Sequence, residues 1–255
     1  MRIDFAKYSS VKIGGVLDVE QITPNQSFDG IVIGGANNLL ISPDFSGKLG
    51  ILSDEFNYIK CENGLLKIGA KTSSKDIYKF AKNNDISGFE ALGQIPGFLG
   101  GLIKMNAGLK GLSISDNLIS LNCAGKSLSK DECAFAYRKS EISGVIFEAS
   151  FELKHGFDDA LSKSLRLARL NQPSGASFGS IFKNPSNDSA GRLIEAAGLK
   201  GYKIGACELS KKHANFLINH GKASFNDALI LINLAKKRVF ECFGIYLEEE
   251  VVVLY

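Results

Sequence analysis

Apolar positions recur along this chain with two periods, and the period changes at glycines and prolines. In "VIFEASFELK" (145–154) the alternation is strict. Phe147, Ala149, Phe151 and Leu153 share one face; Glu148, Ser150, Glu152 and Lys154 share the other. Period two with one apolar face predicts a half-exposed antiparallel strand. "GIVIGG" (30–35) predicts a buried strand entering a turn, and "YIKCENGLLKIGA" a hairpin with Glu62-Asn63-Gly64 at its tip. The helical period governs "SSKDIYKFAKNN", where Ile77, Phe80 and Ala81 follow Ser74 as the expected N-cap. It also governs "FDDALSKSLRLARLNQP", acidic in its first turn, with arginines late and Pro173 as the stop. Two further helices are predicted: "DSAGRLIEAAG", ended by Gly198, and "NDALILINLAKKRVFECFG", capped by Asn226 and ended by Gly244. "IYLEEEVVVLY" reads as a closing strand. Strands dominate the first half and the pattern changes near residue 170, which is where a domain boundary is expected.

Composition narrows the function classes. A net charge of +3 with 22% charged residues leaves no basic footprint for nucleic acid. No apolar run reaches about 18 residues, the length a membrane-spanning helix needs. "MRIDFAKYSS" has no apolar signal-peptide region, so a cytoplasmic protein is expected. Cys61, Cys123, Cys133, Cys207 and Cys242 are odd in number and never spaced C-x-x-C, which fits reduced thiols. His155, His213 and His220 have no metal-ligand spacing, and no protein-bound metal is expected. Twenty-seven glycines against five prolines point to many tight turns or close backbone approaches to a ligand.

Several motifs carry possible chemistry. "GGANNLL" (34–40) follows a strand; its small residues let backbone N–H groups converge on an anion, and Asn37 and Asn38 tolerate left-handed backbone. A tight strand-to-strand turn is the alternative. "GQIPGFLGGLIKMNAG" (93–108) combines five glycines and a proline with Leu99–Met105, which could open a helix; it suits either a pyrophosphate-bearing ligand or close helix–sheet packing. "LNCAGKS" ends like a P-loop, but Ser120 stands where the first glycine belongs, so it reads as a hairpin. In "AYRKS", Arg138 could grip a carboxylate bidentately or be a surface arginine. In "LEEEVVV", Glu248 and Glu250 share a face and Glu249 points away; Glu250 is nearest the apolar end, where a carboxylate needs a partner or a task, and an acidic strand end is the alternative. "SFGSIFKNP" (177–185) puts Ser180 in a run that otherwise looks buried.

Taken together, "YSSVKIGG", "GGANNLL", "GQIPGFLGGLIKMNAG", "YRKS", "GSIFKNP", "AGRLIEAAGLKGYKIG", "KKHANFLIN" and "GIYLEEEV" occur in the order found in the MurB family, the UDP-N-acetylenolpyruvoylglucosamine reductases. The chain resembles that family over most of its length, and specifically its shorter type, which lacks an extra substrate-covering insertion. It departs at Ile33-Gly34-Gly35-Ala36-Asn37, where the family usually has Gly-Gly-Gly-Ser-Asn, and at Glu249, where proline is common.

The resemblance implies an α+β fold. A two-lobed, PCMH-like FAD-binding half (1–52 and 53–170) would precede a smaller α+β substrate-binding domain (171–255). It implies a flavoenzyme that uses NADPH to reduce the enolpyruvyl ether of UDP-N-acetylglucosamine to UDP-N-acetylmuramate, for peptidoglycan. Ser180 matches the family's proton donor, and Arg138 and Glu250 its other two active-site positions. FAD would be met by Gly34, Gly35, Ala36, Asn37, Asn38, Leu39, Gly93, Ile95, Pro96, Gly97, Gly100, Gly101, Asn106, Ala107 and Gly108. Lys183 and Asn184 would meet the nucleotide side of the substrate. With the first histidine at 155 and no cysteine in either glycine-rich loop, FAD is expected to bind noncovalently; no obligatory protein partner is evident. An FAD-linked alcohol oxidase would share the glycine loops without needing "GSIFKNP", and a nonenzymatic UDP-sugar-binding module would lack flavin.

Overall fold

The computed structural model describes residues 1–24 and 26–255. By internal contacts these form two units, one of Val19–Gly34 and Gly47–Arg169, the other of Met1–Asp18, Gly35–Ser46 and Leu170–Tyr255. This cut differs from the expected 1–52, 53–170 and 171–255, because it joins two early segments to the C-terminal part of the chain.

The first unit is built on a five-stranded antiparallel sheet. Its order is Lys126–Ser129, Leu118–Cys123, Ile146–Glu152, Leu65–Gly69 and Ile59–Glu62. The alternating segment is thus the central strand, which explains why Ser150, expected on an exposed face, is buried. Leu66, Ile68, Ala149 and Phe151 are fully enclosed at the core of this unit. Asn63 and Gly64 (φ 52° and 73°) close the expected hairpin with the left-handed pair that a two-residue turn requires. Ala124 and Gly125 (φ 50° and 80°) do the same in "LNCAGKS", a hairpin as its sequence predicts. A second, parallel sheet orders Glu20–Ile22, Leu49–Leu52 and Ile31–Val32. Its last strand is only two residues long and Val32 is exposed, so the expected buried strand at 30–35 is shorter and more open. The chain leaves that sheet at Gly34, in left-handed conformation (φ 49°).

The helix Ser74–Asn83 buries Ile77 and Ala81 as its pattern predicts. Its cap is Ser73 rather than Ser74: the Ser73 hydroxyl accepts from the Asp76 amide at 3.1 Å, while Ser74 is the first helical residue. The helix Asp159–Ala168 is capped by Asp158 and stops before Pro173. Leu99–Lys104 is the short helix foreseen after the second glycine-rich loop.

The other unit is organised around the helix Phe225–Phe243, which buries Ala228, Leu231, Ile232, Ala235 and Val239. Its cap is Ser224 in a reciprocal capping box with Asp227, so Asn226 lies inside the helix; Gly244 (φ 66°) ends it as expected. Against it lie the helix Ala190–Ala196 and the strands Lys203–Ile204 and Cys207–Leu209, whose antiparallel sheet Leu217–Asn219 completes. The closing strand is reduced to Val252–Leu254, parallel to Leu39–Ile41. Residues 248–251 are instead diverted to the Ile181–Lys183 segment: the Lys183 amide donates to Glu248 O, and the Glu250 and Val251 amides donate to Ile181 O.

Candidate active site

"SFGSIFKNP" makes isolated bridges rather than a regular strand. Gly179, at φ 88°, breaks the extended run; a Cβ there would meet nothing within 4 Å, so the backbone beside Ser180 is uncrowded. From Ser180 onward both edges are held. Ser180 bridges Phe216 on one side, and Phe182 bridges Glu249 on the other. Ser180 is half-buried, followed by the enclosed Ile181 and Phe182. Among the described residues no hydrogen bond reaches the Ser180 hydroxyl. A serine serving only to satisfy a strand would spend its hydroxyl on a neighbouring backbone group.

Glu250 is half-buried and tied to the same segment, its amide donating to Ile181 O at 2.8 Å. Its carbonyl accepts from Asn38 Nδ2 at 2.8 Å, and the Val252 amide donates to Asn38 O at 3.0 Å. The "GGANNLL" turn is thereby attached to the Glu250 backbone. Ser10 secures the turn from the N-terminal motif: its hydroxyl donates to Asn37 O at 3.1 Å, and its amide to Ala36 O at 3.3 Å. Ala36 is buried and left-handed (φ 46°), and Leu39 pairs with Val252. Lys183 ion-pairs with Glu248 at 2.5 Å. Asn184 is exposed, and its Oδ1 accepts from the Ala190 amide at 3.0 Å, at the start of the helix Ala190–Ala196.

In the other unit, the second glycine-rich loop is stitched to the Arg138 turn. Asn106 Nδ2 donates to Ala136 O at 3.0 Å, Arg138 Nη2 to Gly108 O at 2.7 Å, and the Ser140 hydroxyl to Lys104 O at 2.7 Å. Arg138 sits at the tip of a tight Ala136–Lys139 turn with φ 55°, a conformation that costs a non-glycine residue roughly 1–3 kcal/mol. Its guanidinium lies 5.1 Å from the Tyr137 ring centre. Arg169 adds a second cation; burial first, and then the Arg138 charge, hold its guanidinium below the usual range.

The loop fits a bound cofactor on two counts. Asn106 is buried and left-handed, and its Oδ1 accepts no hydrogen bond among the described residues, so it is an acceptor awaiting a donor. A Cβ on Gly101 would meet no atom within 4 Å, so close packing within the protein does not explain that glycine. Gly93 and Gly100 are different: a Cβ on Gly93 would lie 2.8 Å from the Tyr78 ring of the helix Ser74–Asn83, and one on Gly100 3.3 Å from Ala70 beside the sheet, so packing within the protein accounts for both. Ile95 and Ala107 line a cavity of about 100 Å³ with the buried Glu90, whereas Pro96 is exposed and Gly97 is held at φ 140°. Among the described residues no group of three His, Cys, Asp or Glu side chains could hold a metal ion.

Ser180, Glu250 and Asn38 thus share one hydrogen-bonded assembly, and Asn106, Gly108 and Arg138 another. Sequence reasoning passed over Asn215, Ser140 and Arg169. The Asn215 side chain bonds the Phe182 N–H and C=O, a contact that leaves no periodicity signal. Nothing in "AYRKS" singles out Ser140, and the sequence pattern gives Arg169 only as a helix-end charge.

The family model for the C-terminal domain of UDP-N-acetylenolpyruvoylglucosamine reductase matches residues 171–254. UDP-N-acetylenolpyruvoylglucosamine reductase of Campylobacter jejuni strain RM1221 is 54% identical over 259 residues, covering 100% of both chains. The Helicobacter hepaticus enzyme of the same name is 48% identical, covering 99% of this chain and 98% of its own. The crystal structure of the Thermus caldophilus enzyme superposes with a TM-score of 0.87 at 29% identity, covering 100% of this chain and 98% of that one.

Proposed function

The chain belongs to the UDP-N-acetylenolpyruvoylglucosamine reductase family, and from that premise we propose which residues carry its reaction. The protein is a flavin-using oxidoreductase of peptidoglycan synthesis that reduces the enolpyruvyl ether of a UDP-sugar. Its cofactor in our reading is FAD, held without a covalent bond, with NADPH as co-substrate, and its place of work is the cytoplasm. No helix among the described residues is long and apolar enough to cross a membrane.

When bound, the flavin supplies hydride to the substrate. The chain's own residues manage charge and proton. Once its methylene carbon has accepted hydride, the substrate carries negative charge on the adjacent carbon and its carboxylate. That species is strongly basic, so even a weakly acidic hydroxyl can protonate it. Ser180 donates that proton to carbon, and solvent restores the serine. Arg138 holds the carboxylate and offsets the charge that grows there. Glu250 orients the reacting end or helps in protonation. Asn106 and the two glycine-rich loops (34–39 and 93–108) hold the cofactor, while Lys183 and Asn184 meet the nucleotide. The Lys183–Glu248 pair opens when a phosphate competes for the ammonium group.

The observation that carries this reading is the Ser180 hydroxyl, unpartnered on a segment whose backbone is fixed on both edges. Replacing Ser180 by Ala leaves flavin content and flavin reduction by NADPH intact. It slows flavin reoxidation by the enolpyruvyl nucleotide by roughly 10²–10⁴-fold, the scale for a positioned acid. Rapid-mixing absorbance near 450 nm separates the two steps, and equal loss in both would remove Ser180 from the role. Yellow colour remaining with acid-precipitated protein would contradict noncovalent binding.

A further inference from the structure

We propose that Asn215 is the positioning residue for the step that reduces the substrate and reoxidises the flavin, acting through the backbone of the Ser180 segment; this rests on the role of Ser180 given above. Asn215 is 2% exposed. Its Oδ1 accepts from the Phe182 amide at 3.0 Å, and its Nδ2 donates to Phe182 O at 2.8 Å. Its own carbonyl accepts from the Ile181 amide at 2.9 Å. One side chain therefore does what a neighbouring strand would do, offering donor and acceptor side by side to the N–H and C=O of a single residue. Both polar atoms of the amide are engaged with backbone, and the side chain is enclosed by protein, so Asn215 acts on the segment rather than on a ligand.

The other edge of the segment shows why this matters. Ile181 O accepts from the Glu250 amide at 2.8 Å and the Val251 amide at 3.2 Å. A shift at Ile181–Phe182 therefore moves Ser180 and Glu250 together. Asn215 is itself held by a prebuilt turn. Its amide donates to His213 Nδ1 at 3.3 Å, the Phe216 amide donates to His213 O, and the Ser210 hydroxyl accepts from the Lys212 amide. The His213 ring packs edge-on to Phe216 at 5.0 Å. Asparagine suits the position because glutamine is a methylene too long, and leucine has the volume but leaves the Phe182 N–H and C=O unpaired in a dry place.

The test compares holoenzymes carrying Asn215→Leu, Asn215→Ala, Ser180→Ala and the Ser180→Ala/Asn215→Leu pair. Rapid mixing gives the two half-reactions, and steady state gives KM and kcat. Asn215→Leu keeps flavin content and flavin reduction by NADPH within about 3-fold and leaves KM for the enolpyruvyl nucleotide nearly unchanged. It slows flavin reoxidation about 10–10²-fold, the cost of a small misplacement at a reacting centre. In the Ser180→Ala background it adds less than about 3-fold, because the group it positions is already gone. Equal slowing of both half-reactions, or a full multiplicative loss in the pair, overturns the proposal. So does failure of both the Leu and Ala variants to assemble with flavin, which makes the amide a requirement of the fold. Ser180→Ala slow with Asn215→Leu fast overturns this inference alone; Ser180→Ala fast overturns the Ser180 assignment itself.

Discussion

Glu90 is a carboxylate enclosed by protein (3% exposed), and its replacement by Gln is a sharp test of what buried charge does here. One oxygen accepts from the Gly88 amide at 2.8 Å, the other from the Asp158 amide at 3.0 Å. Asp158 in turn caps the helix Asp159–Ala168, its Oδ1 accepting from the Leu161 amide at 2.8 Å. The carboxylate thus joins the approach to the second glycine-rich loop to the start of a distant helix. Hydrogen bonds to a charged group contribute about 1.5–3 kcal/mol each. Glutamine keeps the shape but turns an N–H group toward one of two backbone N–H groups. One bond is lost, a buried donor is stranded, and the surviving bond is neutral. We expect a loss of about 2–4 kcal/mol, or roughly 4–16 °C in melting temperature for a chain of this size. Urea unfolding followed by far-ultraviolet circular dichroism measures it, with the midpoint falling at unchanged slope. A loss below about 1 kcal/mol would refute the reasoning, because Glu90 would then be no stronger a link than an ordinary neutral bond.

The corrected helix cap gives a paired test: Ser224→Ala lowers unfolding free energy by about 1 kcal/mol, while Asn226→Ala, at an exposed position inside the helix, stays within about 0.5 kcal/mol. Exposed Cys61 and Cys242 react rapidly with an aromatic disulfide reagent, and Cys123, Cys133 and Cys207 react only on unfolding; five fast thiols would contradict the burial. Burial, and to a lesser degree the Asp227 charge, push the Cys207 thiol up to about 12. The folded state therefore keeps it neutral where the unfolded chain ionises, so its contribution to stability holds below the ordinary thiol value of 9.0 and is lost as pH rises from there toward about 12. Cys207→Ala flattens that alkaline loss in pH-dependent melting.

Elements with strong local signals were legible from sequence. The Glu62-Asn63-Gly64 hairpin, the Leu99–Lys104 helix and the Gly244 stop each depend on a few adjacent residues, and each is found where expected. The caps slipped by one or two positions, because "SS" offers two capable side chains and "SFND" three, and only the packed face decides among them. The closing strand was overread because "YLEEEVVVLY" says nothing of partners; its middle answers to Ile181–Lys183 and its end to Leu39–Ile41. The candidate site was legible only through motif order. Spacing alone could not distinguish Gly101, open on its Cβ side, from Gly93, pressed against a tyrosine ring. Nor could it reveal that an asparagine in "KKHANFLIN" replaces a missing strand.

The pairing of Leu39–Ile41 with Val252–Leu254 has a consequence for biogenesis. Some 210 residues separate the partners, so one is made long before the other. At about 5–20 residues per second, a ribosome leaves the earlier strand waiting roughly 10–40 s. Through that interval Leu40 and Ile41, fully enclosed in the finished molecule, are bare apolar groups on a nascent polypeptide. Deletion of Val252–Leu254 would prolong that exposure indefinitely and hand the segment to chaperones and proteases.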